Sequence, residues 1–172
     1  MHLSNRGVPH SIVRPTVIFG REDILVNNIA WFLRKFPVFG IPGGGAYQVQ
    51  PIYVEDMAKL LADAAEHAGN EIVDTVGPET FTFEGLVRII ASSIGRTPVT
   101  LHLPPAILYA GTSIVGRFVR DTVLTRQEYQ GLMQGLLNPA GPSTGKTPLT
   151  DWLAANRDLL GVSYASEVAR HF

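Results

Sequence analysis

Three stretches of the chain carry residue types that could do chemistry. Ala140-Gly141-Pro142-Ser143-Thr144-Gly145-Lys146-Thr147 fits a loose phosphate-loop pattern, with alanine in place of the first glycine. A phosphate loop needs a strand before it and a helix after it, so that backbone N–H groups converge on the anion. Here a helical pattern precedes the loop. Pro142 and Pro148 also remove donors, so the segment reads as a connector whose Thr147-Pro148 caps the last helix. Gly40-Ile41-Pro42-Gly43-Gly44-Gly45-Ala46 resembles a dinucleotide fingerprint in spacing, yet it runs into the extended Tyr47-Gln48-Val49-Gln50-Pro51 rather than a helix. It reads as a turn or lid. Glu55-Asp56 is an adjacent carboxylate pair. Neighbours on a helix point in different directions and do not share a proton, so helix capping is the expected role. The histidines are His2, His10, His67, His102 and His171; none has a partner at metal-ligand spacing, and no metal is assigned. No serine lies in a Gly-x-Ser-x-Gly elbow.

The elements around these stretches alternate between strand and helix. Residues 11–19, Ser-Ile-Val-Arg-Pro-Thr-Val-Ile-Phe, read as a strand buried on both faces, interrupted or ending at Pro15. Residues 24–36 have helical spacing, with Leu25, Ile29, Phe32, Leu33 and Phe36 on one face and Pro37 as the stop. A mobile loop at Pro42–Gly45 precedes an extended segment from Tyr47 to Val54. Glu55 or Asp56 is expected to cap a helix lined by Met57, Leu60, Leu61, Ala64, Ala65 and Ala68. Glu71–Val76 reads as a second strand. Thr82 caps a helix carrying Leu86, Val87, Ile90 and Ile94, closed by Gly95. Val99–Leu103 is a short strand. Helices are expected near 105–120, 125–137 and 148–160. Only two strands, Ile12–Phe19 and Ile72–Val76, look like central parallel ones, fewer than a doubly wound sheet needs.

Composition bounds the function. The 172 residues are 45% apolar and 17% charged, with mean hydropathy +0.14, enough for a packed core. Fourteen basic and fifteen acidic side chains leave a net charge of -1, which argues against a nucleic-acid partner. The absence of cysteine excludes disulfides, thiolate nucleophiles and cysteine zinc sites. The longest uncharged run, Thr97 to Gly116, is broken by Pro98, Pro104 and Pro105. What remains is too short for a transmembrane span. An amphipathic helix resting on a partner or a membrane surface fits it better. The N-terminus has no signal-peptide run.

The segment Gly7-Val8-Pro9-His10-Ser11-Ile12-Val13-Arg14-Pro15-Thr16-Val17-Ile18-Phe19-Gly20 resembles the strand that follows the catalytic helix in extended short-chain dehydrogenases, the NAD-dependent epimerase/dehydratase family. Gly43-Gly44-Gly45, then Val49-Gln50-Pro51-Ile52-Tyr53-Val54-Glu55-Asp56-Met57-Ala58, then Val76-Gly77-Pro78-Glu79 with Thr82-Phe83, keep the family's spacing. The wording from Gln50 to Ala58 is most similar to the atypical branch that includes the complex I accessory subunit and NADH dehydrogenase-like bacterial relatives. The resemblance implies an α/β fold: a partial Rossmann-type, doubly wound domain, the C-terminal substrate-side half with a helical tail. It implies one partial domain over 1–172, epimerase/dehydratase-like over 7–105 and a helical tail over 106–172.

The resemblance also says what is missing. The family's glycine-rich turn in a βαβ setting is absent. So is its Tyr-x-x-x-Lys pair, because Trp31, Glu55 and Pro142 stand four residues before Lys35, Lys59 and Lys146. No catalytic residue is therefore assigned. Pro15, Thr16 and Val17 match positions that line the nicotinamide side of an NAD or NADP cofactor, giving a partial site only. Val17 matches a position often Asn, and Val49 one often Arg, in nucleotide-sugar epimerases, so both polar contacts are lost here. The implied function is the C-terminal part of an NAD(P)-binding, epimerase/dehydratase-like oxidoreductase, inactive as an isolated chain. The alternative is a non-enzymatic accessory or interaction subunit. Expected partners are the missing N-terminal half, a second copy or another subunit. The expected location is cytoplasmic, or peripheral to a membrane complex.

Overall fold

A computed structural model describes residues 10–66, 70–104, 107, 137, 139 and 141–166. Strand β1 (Ser11–Pro15) ends at Pro15, and β2 (Ile18–Phe19) resumes after a two-residue break. The proline has no N–H to continue a ladder. β1 pairs in parallel with β6 (Glu71–Thr75), from Ser11 opposite Glu71 to Pro15 opposite Thr75. β2 pairs in parallel with β5 (Ile52–Tyr53). β3 (Val38–Pro42) pairs in parallel with β8 (Val99–Leu103), and β4 (Gln48–Val49) antiparallel with β7 (Phe81–Thr82).

Three parallel pairs replace the two central strands read from the sequence. β3 escapes a pattern reading because Pro37, Gly40, Pro42 and the glycines after it mark a helix stop and a loop. Its partner decides the matter: Val38 through Pro42 lie in register with Val99 through Leu103. The triplet that follows does form a turn. Gly43 and Gly45 have φ of 60° and 67°, a region open to glycine, and Gly43 N–H donates to Leu103 O.

Helix α1 (Leu25–Lys35) buries Val26, Ile29, Ala30 and Leu33. The expected apolar face is therefore rotated: Leu25 and Phe36 are exposed and Phe32 only half-buried. Asp23 Oδ1 accepts the Val26 N–H at 2.7 Å in the first turn. Helix α2 (Val54–Glu66) buries Met57 alone and leaves Leu61 exposed, because it leans on β1, β2 and β5 with one narrow side. It also starts before Glu55, so the carboxylate pair lies within its first turn and not ahead of it. Helix α3 (Phe83–Ser93) is capped as expected: Thr82 Oγ1 accepts the Gly85 N–H, and Gly95, at φ 68°, follows its end.

Helix α4 (Leu149–Asn156) makes no cap bond from the side chain of Pro148; Glu79 serves its first turn instead. Leu149 and Leu153 enter the same core as Phe19, Ile41, Leu86 and Ile90. The helices expected near 105–120 and 125–137, together with Ala68, His2, His67, His171 and the first residues of the family-like segment, lie outside the described residues.

Neither long strand of the first pair is buried on both faces. Ile12 and Val13 are half-buried, and Ile72 is 61% exposed. Helix α2 packs against β1, and among the described residues no strand pairs with the other edge of β1. The sequence pattern of these strands belongs to a sheet with more neighbours than the described residues provide.

Candidate functional site

The expected cofactor-lining residues sit just beyond the end of β1, and their polar groups are turned to the fold itself. Pro15 has no N–H. The Thr16 N–H donates to Thr75 O at 3.4 Å, and the Thr16 hydroxyl donates to Gln50 O. Val17 O accepts the Ile52 N–H at 2.8 Å, and its side chain packs against the core. Gln50, buried to 7% exposure, donates from Nε2 to Gly77 O at 2.7 Å and from its N–H to Leu137 O at 2.8 Å. Thr16, Gln50 and Gly77 thus tie the ends of β1, β4 and β6 together. A Cβ at Gly77 would stand 2.0 Å from the Pro51 carbonyl oxygen, so glycine is required for this approach.

A strap formed by residues 143–147 crosses the end of β6. The N–H groups of Thr144 and Gly145 donate to Val76 O at 3.0 and 2.8 Å, and Thr144 Oγ1 accepts the Val76 N–H at 2.9 Å. Lys146 and Thr147 then donate their N–H groups to Asp56 Oδ2, both at 2.8 Å. The Thr150 N–H and hydroxyl donate to Glu79 at 3.0 and 2.6 Å. The phosphate-loop-like segment is an ordered tether. The backbone donors that an anion would need are engaged by Val76 and by a carboxylate, which repels phosphate.

Charge around the site follows from these contacts. Desolvation pushes the Asp56 carboxyl up, but the N–H groups of Thr147 and Lys146, the Thr147 hydroxyl and the charge of Lys59 outweigh it and hold the pKa below its ordinary value. Tyr53, stacked near Phe19 at 5.5 Å between ring centroids, is pushed the other way. Desolvation is the main cause, followed by a hydrogen bond to Glu55 and the negative charges of Glu55 and Asp56. A tyrosine that gives up its proton easily needs the reverse environment, such as a neighbouring lysine ammonium. Val49 is fully buried, so no group at that position reaches a ligand. Among the described residues no cluster of three His, Asp or Glu side chains can hold a metal ion.

Pro15, Thr16 and Val17 therefore present a wall, not a cradle. They offer nothing to a pyrophosphate, and the strap's N–H groups are engaged elsewhere. Among the described residues nothing forms the cradle that a pyrophosphate needs. Sequence reasoning missed Gln50, Gly77, Asp56 in its tethering role and Thr144. The Gln50-Pro51 and Val76-Gly77-Pro78 segments were the available signals.

Solved structures that share this fold include a UDP-glucuronic acid 4-epimerase and MoeE5. UDP-glucuronic acid 4-epimerase from Bacillus cereus, in complex with UDP-glucuronic acid and NAD, superposes at TM-score 0.56 with 18% identity, over 91% of this chain and 46% of that one. MoeE5 in complex with UDP-glucose and NAD does so at 0.56 with 16% identity, over 86% of this chain and 46% of that one. The fold is a partial Rossmann-type domain.

The sequence is similar to that of one kind of subunit. Subunit 9 of the mitochondrial NADH dehydrogenase [ubiquinone] 1 alpha subcomplex is 32% identical in Arabidopsis thaliana over 97 residues, or 55% of this chain and 24% of that protein. The Rattus norvegicus protein is 34% identical over 98 residues, or 54% of this chain and 25% of that protein. The chain is similar to these subunits over a little more than half of its own length. It spans about a quarter of these relatives' length. No family model matches it.

Proposed function

We propose that this chain is the C-terminal, substrate-side part of an NAD(P)-binding, epimerase/dehydratase-like protein, that it has no activity by itself, and that Pro15, Thr16 and Val17 form the wall it contributes beside the cofactor. The observation that carries the reading is the state of β1. The strand leading to those residues has one partner strand among the described residues, an uncovered face at Ile72, and no proton-transfer side chain at its end. The Thr16–Gln50–Gly77 ties make that end rigid, which suits a wall that positions a ligand bound mainly by other residues. Hydride chemistry would come from the cofactor.

The test is calorimetric titration of the purified chain with NAD and NADP, alone and mixed with a separately expressed half that carries a glycine-rich βαβ turn and Tyr-x-x-x-Lys. No heat from the chain alone, with binding restored in the mixture and weakened by Thr16→Arg, is the expected outcome. Tight binding or turnover by this chain alone would overturn the reading.

A second reading is an accessory subunit that is retained for docking. It draws on the relatives, which are subunits of a larger assembly. It predicts stable capture by a partner with no cofactor bound in the mixture.

A further inference from the structure

The core face of α1 does not use all of its large side chains. Trp31, Phe32 and Phe36 lie off that face and gather with Tyr164. Ring centroids are 5.2 Å apart for Trp31–Phe32, 6.1 Å for Phe32–Phe36 and 5.3 Å for Trp31–Tyr164. Tyr164 arrives on a turn, residues 157–164, that lies flush along the helix. Arg34 donates to Leu160 O and Arg157 O at 2.8 and 2.9 Å, and the Gly161 N–H donates to Asn27 Oδ1 at 3.0 Å. Gly161 has φ 68°, and a Cβ there would stand 2.5 Å from the backbone of Ala30, so nothing larger allows the approach.

This turn lifts apolar groups into solvent. Leu159 and Val162 are each 64% exposed, and Phe36 is 45% exposed. A core helix gains nothing from leaving such groups wet. The charges around them have one dominant sign. From Leu25 to Lys35 the helix has no acidic residue and ends in Arg34 and Lys35. The turn adds Arg157, whose contact with Asp158 is a loose 3.8 Å. Asp158 is the one acid of the turn.

We propose that this aromatic, basic face docks on the headgroup layer of an anionic lipid bilayer. Trp and Tyr rings have an apolar body and a polar tip, which suits the interface between hydrocarbon and water. Exposed Phe, Leu and Val supply the inserting groups. Lys35 and Arg157 are not locked into tight ion pairs, and mobile cations suit a fluid anionic layer. A protein partner would instead have to match fixed donors, and the firmly held cation here, Arg34, is already used inside the fold. The proposal does not depend on the cofactor-side reading above.

Co-sedimentation of the full chain with vesicles tests it, using pure phosphatidylcholine and phosphatidylcholine containing phosphatidylserine. Binding to the anionic vesicles, much weaker binding to neutral ones, and release by salt are expected. Each exposed cation contributes about fivefold, so Lys35→Glu with Arg157→Glu should weaken binding by more than about 25-fold. Phe36→Ser and Leu159→Ser should each weaken it about tenfold. Circular dichroism melting confirms folding, and Phe36→Ser and Leu159→Ser serve as independent variants should one fail to fold. No binding to anionic vesicles overturns the proposal. So does equal binding to neutral and anionic vesicles, binding unchanged in the folded variants, or a patch whose substitution changes only the oligomeric state.

Discussion

The carboxylate of Asp56, in the first turn of α2, accepts the backbone N–H of Lys146 at 2.8 Å across 90 residues of sequence. The same oxygen accepts the next N–H, that of Thr147. One side chain therefore fixes the strap that leads into α4, and with it the delivery of Leu149 and Leu153 to the core. Hydrogen bonds to a charged acceptor stabilise more than neutral ones. Asp56→Ala should cost about 2 kcal/mol in urea denaturation and release the strap. Asp56→Asn should cost less, because its carbonyl oxygen still accepts.

Acid should loosen the same tether. The Asp56 pKa lies below its ordinary value of 3.8 in the folded chain. Its contribution is complete above that ordinary value and is lost as pH falls through the depressed one. Hydrogen exchange at Lys146 and Thr147 should rise in this acid window before the rest of the chain opens. Exchange at these two amides that stays flat with pH would contradict the role given to Asp56.

Lys146 gives a sharp test of the phosphate-loop pattern. Asp56 and Val76 hold the N–H groups of residues 144–147, and a carboxylate stands where phosphate would go. Calorimetry with ATP should show no binding to the wild-type chain and no change in Lys146→Ala. Micromolar affinity that vanishes in the variant would show that the strap opens to admit a nucleotide.

Gly77 and Gly44 form a matched pair. A Cβ at Gly77 would meet the Pro51 carbonyl oxygen at 2.0 Å, a backbone atom that cannot swing away. At Gly44 nothing lies within 4 Å. Gly77→Ala should destabilise by about 3 kcal/mol, at the upper end for overpacking, and Gly44→Ala by less than about 0.5 kcal/mol. Equal melting temperatures for the two variants would refute the close approach of the 50–52 and 76–77 segments.

The parts legible in the sequence were those set by local signals. Pro15 ends β1, Thr82 caps α3, and Val99–Leu103 is a strand because β-branched and apolar types cluster there. The resemblance carried by Arg14-Pro15 and by Gln50 to Ala58 gave the Rossmann-type class. What escaped depends on contacts distant in the chain. β3 is a strand through its pairing with β8, despite Gly40 within it and Pro42 at its end. The buried face of α1 is chosen by α3 and β3, not by counting apolar residues along it. Asp56 looked like a cap because its true partners lie beyond residue 140. Gly77 acts through its backbone carbonyl, and Gln50 reaches it with a side-chain amide across 27 residues, a pairing that no local pattern marks.

The uncovered side of β1–β6 leads to the last prediction. Ile12 and Ile72 face each other across the pair on one face, and Ile72 is 61% exposed. On the same face Arg14 and Asp74 form a bidentate pair, at 2.7 and 2.9 Å, that is exposed to solvent and contributes little to stability. The Thr16 N–H points toward β6, so alternation turns the N–H groups of Ser11 and Val13 to the open edge. A strand with one edge unpaired among the described residues, beside the exposed Ile72, invites another chain. The purified chain should self-associate or capture a subunit at micromolar concentration, as read by light scattering. Ile72→Lys should shift it toward monomer by placing a charge on the apolar face while leaving the ladder intact. A monodisperse wild-type monomer that binds no hydrophobic dye would show that this face is covered from within, and the partial-domain reading of β1 would fall with it.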